Sequence, residues 1–281
     1  MENHKHKKLT SIADVNWNDL IKNQRMRKPR KKKPWSQYWD RRAPSFANHA
    51  SKAAYPDSFL KIMKPQSGWT VLDMGCGGGT LSLPLASRVR EITAVDFSGK
   101  MLEVLGAEIQ KREIKNIRTL LASWDDDWSA KNIGRYDVAI ASRSLSVDDI
   151  ETAMTKLNRA ALKRVYISTI VGDGPFDRRI FEAIGRELIP EVDYIYIYNL
   201  LYQMGIYANI SFISEETTKT FDRVDTIKNH LSWMLHKVTS EEEDRLDQYL
   251  REKMTLKNGK MSFEYRKKLK WAVIWWDKEQ Q

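Results

Sequence analysis

Apolar residues along this chain gather into short runs, and the spacing within each run predicts an element. Val71, Leu72 and Met74 flank Asp73 in one strand-like run, and Ile92 to Phe97 form a second that carries Asp96. Between them Leu81, Leu83, Leu85 and Ala86 start a helix. Met101, Leu102, Val104, Leu105 and Ile109 mark the buried face of a helix over 99–112. Strands follow over 117–121, 136–141 and 164–170. Between the last two, Ile150, Ala153, Met154, Leu157 and Ala161 mark a helix over 148–162, capped by Asp148 or Asp149. Beyond residue 176 the pattern predicts a helix over 176–188, a short alternating strand over 193–198, a helical turn over 199–204 and a strand over 208–213. A charged, mostly helical stretch then runs over 214–270, before a last strand over 270–276. Ahead of the first strand, residues 35–64 suit two short helices separated by Pro44 and Pro56, with 57–63 leading into the core. Strands alternating with helices predict an α/β fold on a mostly parallel sheet.

The turn after the first strand is built from Gly75, Gly77, Gly78 and Gly79. A strand, a glycine turn, a helix and a second strand ending on an acid together make a site for a nucleoside-type ligand at the carboxyl edge of the sheet. Asp96 stands about 19 residues past the middle glycine, where a carboxylate accepts hydrogen bonds from ribose hydroxyls. A dinucleotide fingerprint calls for another glycine where Thr80 stands. Asp73 would repel a phosphate but suits a ligand carrying a sulfonium and an amino group.

The stretch TVLDMGCGGG through AVDFS (70–98) resembles motifs I and II of the class I S-adenosylmethionine (SAM)-dependent methyltransferases. The resemblance covers residues 65–170 well, 205–276 loosely and 1–64 hardly at all. It implies a Rossmann-like seven-stranded, mostly parallel sheet with helices on both faces, N-terminal lid helices and a helical insertion near the C-terminus. It also implies SAM as cofactor, bound by Asp73, Gly75, Cys76, Gly77, Gly79, Asp96, Phe97 and Met101. Ser123 and Trp124 occupy the position at which the family meets adenine, with Asp125 just after. Ser142 stands at the carboxyl end of the fourth strand, where cofactor or substrate is held. The implied organisation is an arm over 1–34, a lid over 35–64 and a SAM-binding domain over 65–281, with substrate-facing additions at 176–207 and 214–270.

Acceptor and catalytic groups are less marked. Arg143, at the exit of the fourth strand, suits a substrate carboxylate or phosphate, or pairs with a structural acid. Tyr38 and Trp39 line the pocket or simply pack; the same choice holds for Tyr198 and Tyr202. His49 is the best placed of five histidines for a general base. ArgSer stands where the family's amino-nitrogen methylases of DNA bases and glutamine carry an Asn/Asp-Pro-Pro-aromatic tetrad, which argues against those substrates. No Cys or His/Asp/Glu cluster suggests a metal.

Charge adds one feature. Of the net +10, residues 1–42 carry +9, with 13 Lys/Arg against 4 Asp/Glu, so the rest is nearly neutral. The arm through residue 33 is expected to be weakly structured, with Trp17, Leu20 and Ile21 forming one short helical face. It reads either as a solubilising tail or as a docking arm for RNA, an acidic partner or a membrane surface. No apolar run is long enough to span a membrane, and the first thirty residues lack the apolar centre of a secretory leader. With one cysteine, no disulfide forms within the chain, and a cytoplasmic setting is expected. The expected activity is methyl transfer to a small molecule. An RNA or protein methyltransferase docking through the arm, and a non-catalytic SAM-binding regulatory protein, are the alternatives.

Overall fold

The computed structural model describes residues 11–27, 35–47, 54–217, 220–235 and 237–278. Three helices precede the sheet: α1 (Trp17–Met26), α2 (Trp35–Ala47) and α3 (Ala54–Met63). The alternating core follows as β1 (Thr70–Met74), α4 (Ser82–Leu85), β2 (Glu91–Asp96), α5 (Gly99–Lys111), β3 (Ile117–Leu121), β4 (Tyr136–Ser142), α6 (Ile150–Ala160) and β5 (Ala161–Ile170). Then come α7 (Arg178–Ala183), α8 (Tyr194–Gln203), β6 (Asn209–Thr217), β7 (Thr220–Phe221), α9 (Val224–Leu235), α10 (Ser240–Lys253), β8 (Met254–Lys257), β9 (Lys260–Phe263) and β10 (Lys267–Asp277).

Seven strands form one sheet in the order β3-β2-β1-β4-β5-β10-β6. β1 runs parallel to β2 and to β4, β2 to β3, and β4 to β5. The chain steps outward from β1 to β3 and then returns to β4 on the other side. The carboxyl ends of β1 and β4 therefore flank the point where strand order reverses, which is where such sheets hold ligands. Val71, Leu72, Ile92, Val138 and Ile140 have no exposed surface, as expected of strands covered on both faces. Each such side chain contributes about 1.5–3 kcal/mol by leaving water. At the amino end of β1, Asp137 accepts from the Thr70 backbone N–H at 2.8 Å and its hydroxyl at 3.0 Å, which fixes the β1–β4 register.

The strands of the core lie where the apolar runs predict them. Several other expectations need correction. Residues 193–198, expected as a strand, belong to α8. Asp193 caps that helix, and Ile197, Leu200 and Leu201 form its buried stripe. The Tyr/Ile alternation matches a strand only while the window stops at Tyr198. The helix expected over 148–162 ends at Ala160, so β5 begins three residues early. The helix expected over 176–188 is confined to 178–183. The mostly helical stretch 214–270 also holds a three-stranded sheet, β7-β9-β8. Pro44 does not divide helices; it lies in the last turn of α2, where its ring disturbs little that follows. Inside the expected weakly structured arm, residues 17–26 form α1, whose buried residues are Asn18 and Ile21, while Leu20 is 40% exposed.

The chain divides into two compact units. One gathers the described residues up to 169 with 192–211 and from 273 onward; the other comprises the described residues of 170–191 and 212–272. Residues 192–207 thus group with the first unit. The second has its own core, with Ile180, Phe181 and Ile184 among Leu231, Met234, Leu246 and Leu250. Arg186 ties it together, donating to the carbonyls of Leu235 and Lys237 and forming a two-pronged pair with Glu242.

Candidate active site

The glycine loop is held from below by β2. The N–H groups of Gly75 and Cys76 both donate to the Val95 carbonyl, at 2.7 and 2.9 Å. Gly75 adopts φ +75°, and a Cβ there would lie 2.3 Å from Ser144 Cβ. Only glycine permits both that backbone and that approach. Ser144 Oγ donates to the Met74 carbonyl at 2.7 Å, so the exit of β4 is pinned to the exit of β1. Gly77 has φ +54°, and a Cβ on it would meet only Met101 Sδ, at 4.0 Å. The loop backbone is thus bare where a ligand has to approach it.

Two carboxylates border this loop. Asp73 is buried and accepts from Ser82 Oγ at 2.6 Å. Burial raises its pKa from 3.8 to about 6, with the Ser82 hydroxyl opposing and the charge of Asp96 adding to the rise. Asp96 accepts from the Gly77 N–H at 2.8 Å and the Ser98 N–H at 2.9 Å. Its pKa is also raised by burial, against the pull of the N–H groups of Ser98, Gly77 and Phe97. A carboxylate has about four acceptor directions, so Asp96 keeps one beyond the N–H groups of Ser98, Gly77 and Phe97 for a ligand hydroxyl. Phe97 is half-buried, Met101 is buried, and the Cys76 thiol is buried with its pKa pushed up by desolvation.

The loop after β3 is a knot of short contacts. Ser123 Oγ accepts from the N–H groups of Asp125 and Asp126, and Asp126 in turn accepts from the Ser123 N–H. Asp126 and Asp127 are turn acceptors; Asp127 takes the Ser129 N–H. Trp124 is buried, and its Nε1–H donates to the Ser144 carbonyl at 3.1 Å. The Ser123–Asp125 loop, the exit of β4 and the glycine loop are therefore one connected structure. Ser142 Oγ lies 2.7 Å from Tyr55 Oη and 3.1 Å from Ser168 Oγ. The guanidinium of Arg143 lies 4.1 Å from the centre of the Tyr55 ring.

Tyr38 and Trp39 sit on α2, which packs against α5. Arg42 lies over both rings, at 5.5 and 5.7 Å. Asp40, between them and Arg42, accepts from Ser98 Oγ at 2.6 Å, two residues beyond Asp96. Tyr198 donates to the Ala208 carbonyl at 3.0 Å, and Tyr202 is 52% exposed with its ring against Tyr207. Those contacts stay within α8 and the turn after it. His49 lies outside the described residues. Sequence reasoning missed Asp40, Tyr55, Ser82 and Ser168, which are polar residues on helices or strand ends without any motif of their own. An open cavity of about 540 Å³ lies inside the second unit, lined by Arg179, Glu182, Tyr249, Lys253, Glu264 and Tyr265. Its cations already face acids, Arg179 on Asp177 and Lys253 on Glu264, and it includes none of the residues expected from the sequence.

Comparison with known proteins agrees with this geometry. A family model described as a methyltransferase domain matches residues 71–163. An uncharacterised protein of Haemophilus influenzae is 34% identical over 242 residues, 85% of this chain and 88% of that protein. A ubiquinone biosynthesis O-methyltransferase of Vibrio parahaemolyticus is 30% identical over 163 residues, 56% of this chain and 68% of that enzyme. The crystal structure of a methyltransferase candidate from Bacillus halodurans superposes with a TM-score of 0.53 at 13% identity, covering 80% of this chain and 99% of the other.

Proposed function

The chain belongs to the class I SAM-dependent methyltransferases, and on that premise we propose that it methylates a small molecule bound at the carboxyl ends of β1, β4 and β5. The observation that carries the reading is the juxtaposition of the bare glycine loop, the paired acids Asp73 and Asp96, and the Ser142–Arg143–Ser144 edge beside them. The acids suit the cofactor's cation and ribose, and the loop suits close approach of its backbone-facing side. SAM supplies an electrophilic methyl group when bound. With SAM bound, Asp96 would hold the ribose hydroxyls, Asp73 would favour the positively charged end, and Trp124 would border the adenine. The loop and the β4 edge fix where an acceptor atom enters, and alignment supplies most of the rate in such a displacement. No general base is required for an acceptor that arrives ionised.

The similarity to an enzyme named for ubiquinone biosynthesis supports a small-molecule acceptor. The single cysteine supports a reducing, cytoplasmic setting. The basic N-terminal segment favours the second reading, an RNA or protein substrate docked through it. Calorimetric titration of the full chain with SAM and with S-adenosylhomocysteine (SAH) tests the cofactor site. Asp96→Ala is expected to weaken both by about 1–3 kcal/mol, the worth of a charge-assisted hydrogen bond in a shielded site. Unchanged affinity in that variant removes Asp96 from the ribose. Release of SAH in the presence of small acceptors, and none with RNA or peptide, is the result that the small-molecule reading requires.

A further inference from the structure

We propose that Asp40, on α2, is a positioning residue for the cofactor site: it holds Ser98, Ser98 holds Asp96, and the grip on the ribose therefore depends on α2 being docked. This rests on the reading of Asp96 as the ribose acid. Asp40 stands 58 residues before Ser98, and nothing beside it in the sequence marks it as part of the site.

The contacts run in one line from α2 to the glycine loop. Asp40 Oδ1 accepts from Ser98 Oγ at 2.6 Å and from the Lys100 N–H at 3.4 Å. Ser98 has no exposed surface and is the N-cap of α5, where its Oγ accepts from the Met101 N–H at 3.1 Å. A serine hydroxyl has one proton to give. Asp40 takes it, which leaves the oxygen turned to cap the helix. The Ser98 N–H in turn donates to Asp96 Oδ1 at 2.9 Å, and the Gly77 N–H donates to Asp96 Oδ2 at 2.8 Å. Asp96 is thus fixed on one oxygen by the cofactor loop and on the other by the start of α5. Ala43, one helical turn beyond Asp40, is 1% exposed, and α2 packs on α5. Three elements, α2, α5 and β2, therefore converge on one carboxylate.

What Asp40 supplies is contact and not charge. Burial raises the Asp96 pKa, and the charge of Asp40 adds to the rise. A second acid beside the ribose acid therefore opposes the ionised form, which is the stronger acceptor for ribose hydroxyls. The hydrogen bonds at the start of α5 offset that repulsion, and the helix dipole there favours an anion. Removing the acid would relieve the repulsion but release the Ser98 hydroxyl and loosen the turn that presents Asp96. Docking and binding are linked in both directions. If docked α2 raises cofactor affinity by some factor, bound cofactor favours the docked state by the same factor.

The test titrates the full chain with SAH and with its 2′,3′-dideoxy analogue, which lacks the ribose hydroxyls. The wild type is expected to prefer SAH by at least about tenfold, the discrimination that a lost hydrogen bond to a charged group gives. Asp40→Ala should cut that preference about fivefold by weakening SAH, with affinity for the analogue held within about twofold of the wild type, because only the bonds to the ribose hydroxyls are touched. Asp40→Asn, which keeps an acceptor for Ser98 Oγ, should restore most of the preference. Ser98→Ala should lower it too, and adding Asp40→Ala to that variant should lower it no further, as for two residues acting in one chain of contacts. Hydrogen exchange on the wild type needs no variant to fold. There SAH should slow the backbone amides of residues 36–43 several-fold, and the analogue should slow them less. A preference that survives Asp40→Ala, equal losses for SAH and the analogue, or α2 exchange untouched by SAH overturns the proposal and leaves the cofactor site standing. SAH binding with no preference over the analogue in the wild type removes Asp96 from the ribose and this proposal with it. Failure of the wild-type chain to bind SAH overturns the reading of the whole site.

Discussion

At the scale of single residues, Asp73 sets stability and ligand binding against each other. A carboxyl whose folded pKa of about 6 lies above its ordinary 3.8 favours the fold in its protonated form. That contribution is complete below pH 4 and is lost as pH rises through about 6. The displacement corresponds to roughly 3 kcal/mol. Binding of a cationic ligand has the opposite sign, because it needs the ionised form. The ligand-free protein is therefore expected to melt higher at pH 5.5 than at 7.5, while SAM affinity rises over the same interval. Asp73→Asn keeps an acceptor for Ser82 and should flatten that dependence, raise the ligand-free melting temperature at pH 7.5 and weaken SAM binding. A variant no more stable than wild type at pH 7.5 would show that burial does not penalise the charge. Gly75 tests the opposite constraint. Gly75→Ala places a Cβ 2.3 Å from that of Ser144, and overpacking of this kind costs about 1–3 kcal/mol. The additional Ser144→Gly change removes the clash but not the strain of φ +75°, so denaturant unfolding should show partial recovery only. The acids and glycines of the site were legible in the sequence because their chemistry is local and their spacing short. Tyr55 was not, because its partners Ser142 and Ser168 lie 87 and 113 residues away and nothing near Tyr55 announces them.

At the scale of elements, legibility followed the length of the periodic run. α5 and α6 are each about three turns long with an apolar stripe along one side, and the sequence places them to within two residues. α8 was misread because two periods fit the same six residues, and only Leu200 and Leu201 decide between them. α1 shows a different limit. Its inner face joins buried Ile21 to Asn18, Lys22 and Arg25, so the apolar pattern marks a short helical face without showing the polar contacts that dock it. Asn18 Nδ2 and Lys22 Nζ donate to Asp149, the N-cap of α6, at 3.2 and 3.0 Å, and Arg25 donates to the Leu145 carbonyl at 2.7 Å. Asp149 also accepts from the Thr152 N–H, the main reason its pKa falls to about 2. The resulting stability is present above about pH 4 and fades as pH drops toward 2. The Lys22 pair is partly exposed and adds little. Asp149→Ala is expected to cost about 1 kcal/mol, mostly the lost cap, and to expose the backbone amides of α1 to hydrogen exchange. Asp149→Asn, which keeps a capping oxygen, should cost less. Unchanged exchange in α1 with the alanine variant would mean that Ile21, the Arg25–Leu145 bond and the packing against α8 hold the helix without Asp149.

At the scale of the whole molecule, the uneven charge is the property with the widest consequence. Thirteen cations against four acids in residues 1–42 invite the inference of a docking arm for a polymer. α1 changes how that inference can be tested, because three of its polar residues bond α6 and the loop before it. Removing residues 1–33 would strip those contacts from the folded body, and the loss would mimic loss of docking. Neutralising Lys28, Arg30, Lys31, Lys32 and Lys33 to glutamine removes five charges and leaves α1 whole. A small-molecule enzyme should keep its turnover within about twofold in that variant, with little dependence on salt, because exposed charges act weakly beyond a Debye length of about 10 Å. An enzyme that docks single-stranded RNA through those cations should instead lose affinity. Its log–log slope against salt should flatten by as much as about 3.5, from a release of roughly 0.7 counterions per neutralised phosphate. Turnover and salt dependence, measured on one full-length variant, therefore separate the two substrate classes without disturbing the fold. Unchanged turnover with a flat salt response assigns the arm a solubilising role and leaves acceptor choice to the edge of β4. A large loss of turnover that high salt reproduces in the wild type would move the substrate to the polymer class.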